Sequence, residues 1–203
     1  MVLVAWLCWL TSTPTWAQDP VAADRVAFTA AVAAMEDGNF DRAAKEFTDF
    51  LNKFPESTLR QEATERAEQS KGEAQLRRKE FAAAATTFQS FQQNFLSSPR
   101  AILAALGESQ ARLRIGELEK TVDVLTRTNG AFQSALKAGT PPGALLRGLS
   151  MLAEARAGTK NPDAALQAIE AGTKFTKTPA EQWNLQRLAV EILRDAGRAD
   201  AAI

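Results

Sequence analysis

The side chains of this 203-residue chain that could take part in chemistry are mainly its arginines, lysines and carboxylates, because the sequence contains no histidine and no tyrosine. Without histidine, the commonest general base and metal ligand at neutral pH are missing, and a Ser–His–Asp triad cannot be assembled. No glycine-rich phosphate-binding loop and no metal-ligand motif occurs either. We therefore expect no enzyme activity and no cofactor, which favours a binding function.

The charged residues do not point to acid–base catalysis or to nucleic-acid binding. Glu36 and Asp37 are adjacent at a predicted helix end, so their carboxylates face different directions. Lys and Arg together number 24, and so do Asp and Glu, which argues against electrostatic capture of nucleic acid. The basic run at residues 77–79 is short and flanked by Glu73 and Glu80, which predicts a solvated turn.

The N-terminus is typical of an export signal. Residues 2–10 are all apolar, and a polar stretch with Pro14 leads to the small residues Thr15 and Ala17. This pattern predicts a signal peptide at residues 1–17, cleaved after Ala17, since the run is shorter than the ~20 residues of a membrane-spanning helix. No Lys or Arg lies before Asp19. The positive charge of such a signal would come only from the amino terminus, and the alternative is a retained apolar N-terminal helix.

The single cysteine, Cys8, lies within the predicted signal peptide. The large residues Trp6 and Leu7 precede it where lipoprotein signals hold small residues, so no lipid anchor is expected. Cleavage would leave a chain without cysteine, which is compatible with an oxidising compartment. The sequence therefore predicts a periplasmic or secreted protein with no membrane span after cleavage, a linker at residues 18–23 and a repeat domain at residues 24–203.

The repeat is visible in phenylalanines that recur at one offset. Four pairs are each 41 residues apart, as are two pairs of alanines and one pair of serines: Phe40/Phe81, Phe47/Phe88, Phe50/Phe91, Phe54/Phe95, Ala43/Ala84, Ala44/Ala85 and Ser57/Ser98. Such self-similarity indicates a helical unit that is copied and stacked. The phenylalanines fall at helical spacing on one face, which predicts a core stripe. A cofactor or lipid box is the alternative.

From Asp24 onward the sequence predicts helix pairs. The pairs are Asp24–Asp37 with Phe40–Lys53, Thr58–Arg78 with Phe81–Phe95, Arg100–Ile115 with Leu118–Asn129, Ala144–Ala157 with Asp163–Lys174, and Pro179–Asp195 with a helix start at Ala199–Ile203. This leaves the fifth pair incomplete, so either the chain is a fragment or the last full helix acts as a cap. Phe132 is expected to extend the stripe of the third pair, and Trp183 to pack between the fourth and fifth or, alternatively, to face a groove.

The order of these landmarks resembles the tetratricopeptide repeat. The first unit has the small turn, aromatic, alanine, aromatic and proline positions of that repeat, at Gly38-Asn39-Phe40, Ala43, Phe47 and Pro55. The second unit keeps Gly72, Phe81, Ala84 and Phe88, but Lys79 replaces the turn glycine. The third unit keeps Gly116, and the fourth and fifth match more weakly, so that the resemblance extends over residues 24–203.

The resemblance implies an all-α fold, a right-handed superhelix of antiparallel helix pairs with a concave groove that holds a protein or peptide. The segment from Phe47 to Ser57 looks most like repeats of bacterial envelope proteins, such as the Tol-Pal system coordinator and the lipoprotein of the outer-membrane barrel assembly machine. The expected function is an interaction scaffold of the cell envelope. The alternatives are a helical repeat segment of a larger exported enzyme or sensor, and a structural spacer.

The resemblance also implies that the first helix of each pair lines the groove. The partner-binding residues it indicates are Arg25, Phe28, Arg66, Gln69, Arg77, Gln110, Arg114 and Arg147, with Val32, Glu36, Glu73, Leu103, Leu106, Ser150 and Glu154 beside them. The arginines occupy two equivalent repeat positions, so a ladder of guanidinium groups could bind carboxylates along an acidic or C-terminal peptide. The alternative is that they are solvated charges beside neighbouring glutamates.

Overall fold

The structure, a computed structural model, describes residues 20–198, with side chains from residue 23 onward. All regular structure in this range is helical, in the order α1 (Pro20–Glu36), α2 (Phe40–Lys53), α3 (Arg60–Arg77), α4 (Phe81–Asn94), α5 (Ala101–Arg114), α6 (Leu118–Thr126), α7 (Ala131–Ala138), α8 (Pro142–Gly158), α9 (Pro162–Thr173) and α10 (Pro179–Asp195). The predicted signal peptide at residues 1–17 and the helix start at Ala199–Ile203 lie outside the described residues.

Consecutive helices pack as pairs, α1 with α2, α3 with α4, α5 with α6 and α8 with α9, and successive pairs pack on each other. This is the all-α solenoid of helix pairs that the sequence predicts. Helices α2 and α10 begin and end at the predicted residues. Helix α1 instead begins at Pro20, so residues 20–23, expected as linker, are helical.

The third pair differs from the prediction. Its second helix, α6, ends at Thr126, because Arg127 takes extended dihedrals (φ −56°, ψ 118°) and the chain turns through Gly130 into the unpredicted helix α7. Phe132 therefore lies on a separate helix rather than on the stripe of α6. It is nevertheless fully buried, so its side chain keeps the predicted core role from a different backbone position.

The phenylalanine stripes form the core, as predicted, since Phe47, Phe50, Phe88 and Phe91 are at most 1% exposed. The Phe88 ring on α4 lies between two glycines of first helices. A Cβ atom at Gly72 of α3 or Gly107 of α5 would come within 2.6 or 2.5 Å of that ring. The ring therefore fills space that only glycine leaves open on both flanking helices. Phe132 has the same relation to Gly148 of α8.

The turns between paired helices share one backbone geometry. A residue with positive φ stands two positions before the second helix at Gly38, Lys79, Gly116 and Lys160, and Gly197 adopts the same conformation after α10. At each turn the following N–H donates to the carbonyl five residues earlier, as in a Schellman motif. Lys79, which replaces the expected glycine, therefore keeps the left-handed conformation (φ +61°) despite its side chain.

The loop after each phenylalanine-rich helix, α2 and α4, is bonded to one buried carboxylate on the first helix of the same pair. The Ser57 hydroxyl donates to Asp24 at 2.5 Å, and the Ser98 hydroxyl donates to Glu65 at 2.6 Å. Both partners of the first bond lie 41 residues before those of the second. The 41-residue period therefore extends to a polar interaction as well as to the core.

A buried ion pair joins α4, α5 and the turn into α6. Glu108 and Arg112 are 3% and 7% exposed, and the Arg112 Nε donates to Glu108 at 2.7 Å. Arg112 also donates to Glu117 and to Gln89, and Gln92 donates to the second oxygen of Glu108. Burial raises the pKa of Glu108, while the neighbouring guanidinium of Arg112 opposes that rise.

Replacing Gly107 by alanine should lower the free energy of unfolding by about 1–3 kcal/mol, because the new methyl group overlaps the Phe88 ring. Urea denaturation measures the change. Gly143→Ala is the matched control, since a Cβ at this helical position meets no atom within 4 Å and should be neutral or slightly stabilising. Equal losses of stability for the two variants would contradict the close packing of the Phe88 ring against Gly107.

Arg112→Met should cost about 3–5 kcal/mol at pH 7, because it leaves the Glu108 carboxylate buried without its cation. Its exposed counterpart Arg42→Met, which breaks the pair with Glu46, should cost about 0–1 kcal/mol. In the variant we expect the pKa of Glu108 to be higher in the folded state than in the unfolded state. The stability deficit of the variant is therefore full above the folded-state pKa and disappears as pH falls below the unfolded-state pKa. Urea denaturation at pH 7 and pH 5 should show the deficit shrinking, and a deficit independent of pH would contradict this account.

Candidate protein-binding surface

The first helices of the pairs, α1, α3, α5, α8 and α10, carry the polar side chains that the core does not use. Helix α5 packs against both α3 and α8, so side chains from these three helices share one surface. We call this the first-helix surface and define it by Glu73, Arg77, Gln110, Arg114, Arg147 and Glu154. Because the helices are held by glycine–phenylalanine contacts beneath them, the spacing of these side chains is fixed by the core.

The centre of the first-helix surface is a mixed-charge group from three helices. Arg147 of α8 donates a hydrogen bond to the side-chain oxygen of Gln110 on α5. Partial burial raises the pKa of Glu73 on α3, and the guanidinium groups of Arg147 and Arg77 oppose that rise. The predicted residues Gln110 and Arg147 are thus joined across two helices, and Glu73 balances part of the arginine charge.

A second group lies nearer the N-terminus, between α1 and α3. The guanidinium of Arg66 lies 5.7 Å from the centre of the Phe28 ring and forms an ion pair with Glu62 at 2.8 Å. Glu62 also pairs with Arg100 at 3.0 Å. Although burial acts to raise it, the two arginines hold the pKa of Glu62 below its ordinary value. Arg66 therefore joins two repeats as well as facing the surface.

Phe28 and Arg77 have packing contacts that the sequence did not indicate. The Phe28 ring meets Phe47 and Phe50 edge to face, at centroid distances of 5.6 and 5.7 Å. The Arg77 guanidinium lies 4.7 Å from the centre of the Phe40 ring. Phe28 therefore packs α1 against α2, and Arg77 packs α3 against α2. These contacts limit how far both side chains can reach toward a partner.

The remaining predicted residues are scattered. Arg25 is exposed at the beginning of α1. Gln69 is buried, and its side-chain oxygen has no hydrogen-bond partner among the described residues. Arg114 is exposed at the end of α5, where its charge acts on Glu154 of α8. The structure therefore assembles the predicted residues into local groups rather than one row.

A cleft that the sequence did not predict lies between α8 and α10. It consists of a 630 Å³ part toward the start of α9 and a 340 Å³ part toward the beginning of α10, and both are lined by Glu154, Leu188 and Glu191. We call it the α8–α10 cleft. Partial loss of hydration raises the pKa of Glu154; Arg114 opposes the rise and Glu191 adds to it. The spacing of Asn184, Leu188 and Glu191 on one face of α10 is the sequence signal that could have indicated this wall.

Trp183 does not pack between the fourth and fifth pairs as expected. Its side chain is 66% exposed and lies with Val190 on a different face of α10 from the cleft. Within residues 20–198, no group of three or more His, Cys, Asp or Glu side chains has the geometry to hold a metal ion. None of the helices described there combines the length and apolarity needed to cross a bilayer.

Comparison with known proteins supports the repeat and the fold. Residues 26–57, which contain most of α1 and all of α2, match the tetratricopeptide repeat. A solved structure titled "MamA RS-1 ArsTM double mutant" superposes with a TM-score of 0.63 at 13% sequence identity, over 88% of each chain. The sequence matches no curated relative. The first helix pair is therefore similar to a tetratricopeptide repeat in sequence, and the solenoid as a whole shares its fold with a solved structure.

Proposed function

We propose that this protein is an interaction scaffold of the bacterial cell envelope that binds a protein or peptide partner on its first-helix surface. The observation that supports it best is the central group, in which Glu73, Gln110 and Arg147 from three helices are presented together on the solenoid. Stacked-helix folds use such surfaces, built across several repeats, to bind extended partners. The tetratricopeptide match over residues 26–57 is consistent with protein binding.

The envelope location rests on the N-terminal sequence. Residues 2–10 and the small residues Thr15 and Ala17 support export and cleavage by a signal peptidase. Residues 18–203 contain no cysteine, so an oxidising compartment would not affect the mature chain through free thiols. The proposal therefore joins a repeat scaffold to an exported location.

The surface does not require a partner of one charge. Arg66 is paired with Glu62, and Arg147 is bonded to Gln110 beside Glu73. A partner carboxylate would have to compete with these contacts, so preference for an acidic segment stays a prediction of the arginine pattern. Binding to the first-helix surface is the wider proposal and does not depend on it.

A photo-crosslinking amino acid placed at Gln110 should capture a defined partner in living cells, because this side chain lies at the centre of the first-helix surface. Gln167 is the matched control, since it is an exposed glutamine on the second helix α9. Arg147→Ala should weaken the crosslink at position 110. Equal capture at positions 110 and 167, or none at either, would count against binding on this surface.

The full chain with a C-terminal tag should be found in the periplasm or medium of a bacterial host, and N-terminal sequencing should begin at Gln18. Ala17→Phe should block this processing, because signal peptidase requires a small residue before the cleavage site. An unprocessed chain that remains in the cytoplasm would contradict the exported location while leaving the scaffold proposal intact.

A further inference from the structure

The α8–α10 cleft has an apolar interior. The side chains of Leu146, Leu188 and Ile192 line its two parts, and Leu188 is common to both. Its volumes of 630 and 340 Å³ fall in the range of pockets that hold ligands. The cleft can therefore receive one or two apolar side chains of a bound segment.

Carboxylates outnumber cations around this interior. Glu154, Glu181, Glu191 and Asp195 line the two parts of the cleft, against Lys160 and Arg187. Arg187 pairs with Glu191 at 2.9 Å, Arg194 pairs with Asp195 at 3.0 Å, and Glu181 caps the beginning of α10. Glu154 has no ion pair or hydrogen bond to any residue described by the structure, and Arg114 is the cation whose charge acts on it. The wall contributed by α8 thus holds a carboxylate that is free to accept a donor.

We propose that the α8–α10 cleft binds a basic segment of a protein partner, with a lysine or arginine placed at Glu154 and Glu191 and a neighbouring apolar residue against Leu188. This inference rests on the proposed function and specifies the partner for one part of that surface. A cation there relieves the repulsion between the two carboxylates and offers Glu154 a charge-assisted hydrogen bond. An acidic segment would add a third negative charge to the same space, which disfavours it.

The inference differs from what the arginine pattern predicts. The arginines Arg66, Arg77 and Arg147 lie on α3 and on the first half of α8, whereas the larger part of the cleft is lined by the second half of α8 and by α10. The part of the surface that carries these arginines and the part at the cleft therefore differ in charge. A partner that follows the surface would place its basic residues at the α10 end.

The test uses two fluorescent 12-residue peptides with identical leucines and alanines, one carrying three lysines and the other three glutamates, added to the full chain. Fluorescence anisotropy at 50 and 150 mM salt should show the basic peptide binding several-fold more tightly, with a difference that narrows as salt screens the charges. The double variant Glu154→Gln and Glu191→Gln should weaken its binding about three- to tenfold, as expected for two partly exposed charge contacts.

The matched control is Glu119→Gln with Glu170→Gln, two exposed carboxylates on α6 and α9 outside the cleft. It removes the same net charge and should leave the binding of the basic peptide unchanged. Circular dichroism of both double variants checks that the fold is kept. Equal weakening by the two variants, or equal affinity for the acidic peptide, overturns the proposal.

Other occupants of the cleft give different results. If a second copy of the chain fills it, sedimentation should show self-association that the Glu154/Glu191 variant abolishes, and this result also overturns the proposal. If a partner crosslinks at Gln110 but the Glu154/Glu191 variant binds the basic peptide as tightly as the natural chain, the proposed function stands and the basic-segment inference fails. If no partner crosslinks at Gln110 but the basic peptide still binds at the cleft, the proposed function fails while the binding of a basic segment at the cleft stands.

Discussion

The fold depends on the contact between an aromatic ring of one helix and glycines of its neighbours. Phe88 can be fully buried only because Gly72 and Gly107 have no Cβ atom where the ring lies, and Phe132 stands in the same relation to Gly148. A ring of this size buries substantial apolar area, and dispersion contacts accumulate when the flanking backbones approach it closely. Once the ring is seated, α3 and α5 are fixed relative to each other, and the polar side chains they carry acquire fixed positions.

The first-helix surface exists because the small residues of the first helices pack against the rings while their long polar side chains remain outside the core. Rings and glycines satisfy the packing, so the arginines, glutamates and glutamine of the same helices are left to interact with one another or with a partner. The two guanidinium groups that act on Glu73 exceed its single carboxylate, whereas the carboxylates of the α8–α10 cleft exceed its cations. A partner that binds along this surface as proposed would be selected for its charge and its direction, because like charges brought together cost energy.

The sequence predicts the elements better than the contacts between them. Phenylalanine spacing and turn residues gave α2 and α10 their bounds, because these signals are local. The break into α7 was missed, since Arg127 leaves the helix at a point where no proline or glycine stands. The stacking of Arg66 on Phe28 and of Arg77 on Phe40 joins residues 37 or 38 positions apart. Such contacts depend on how one pair lies on the next, so the arginines could be placed on the right helices but not given their partners.

Adjacent residues on the first helices serve packing and surface at once. Glu73 follows Gly72, which receives the Phe88 ring, and Arg147 precedes Gly148, which receives Phe132. Neighbouring positions on a helix are about 100° apart, so the depth at which a ring is seated sets the direction of the charged side chain beside it. The hydrogen bond from Arg147 to Gln110 crosses between two helices held in this way. A change that displaces a ring should therefore disturb the first-helix surface even where it removes none of that surface's residues.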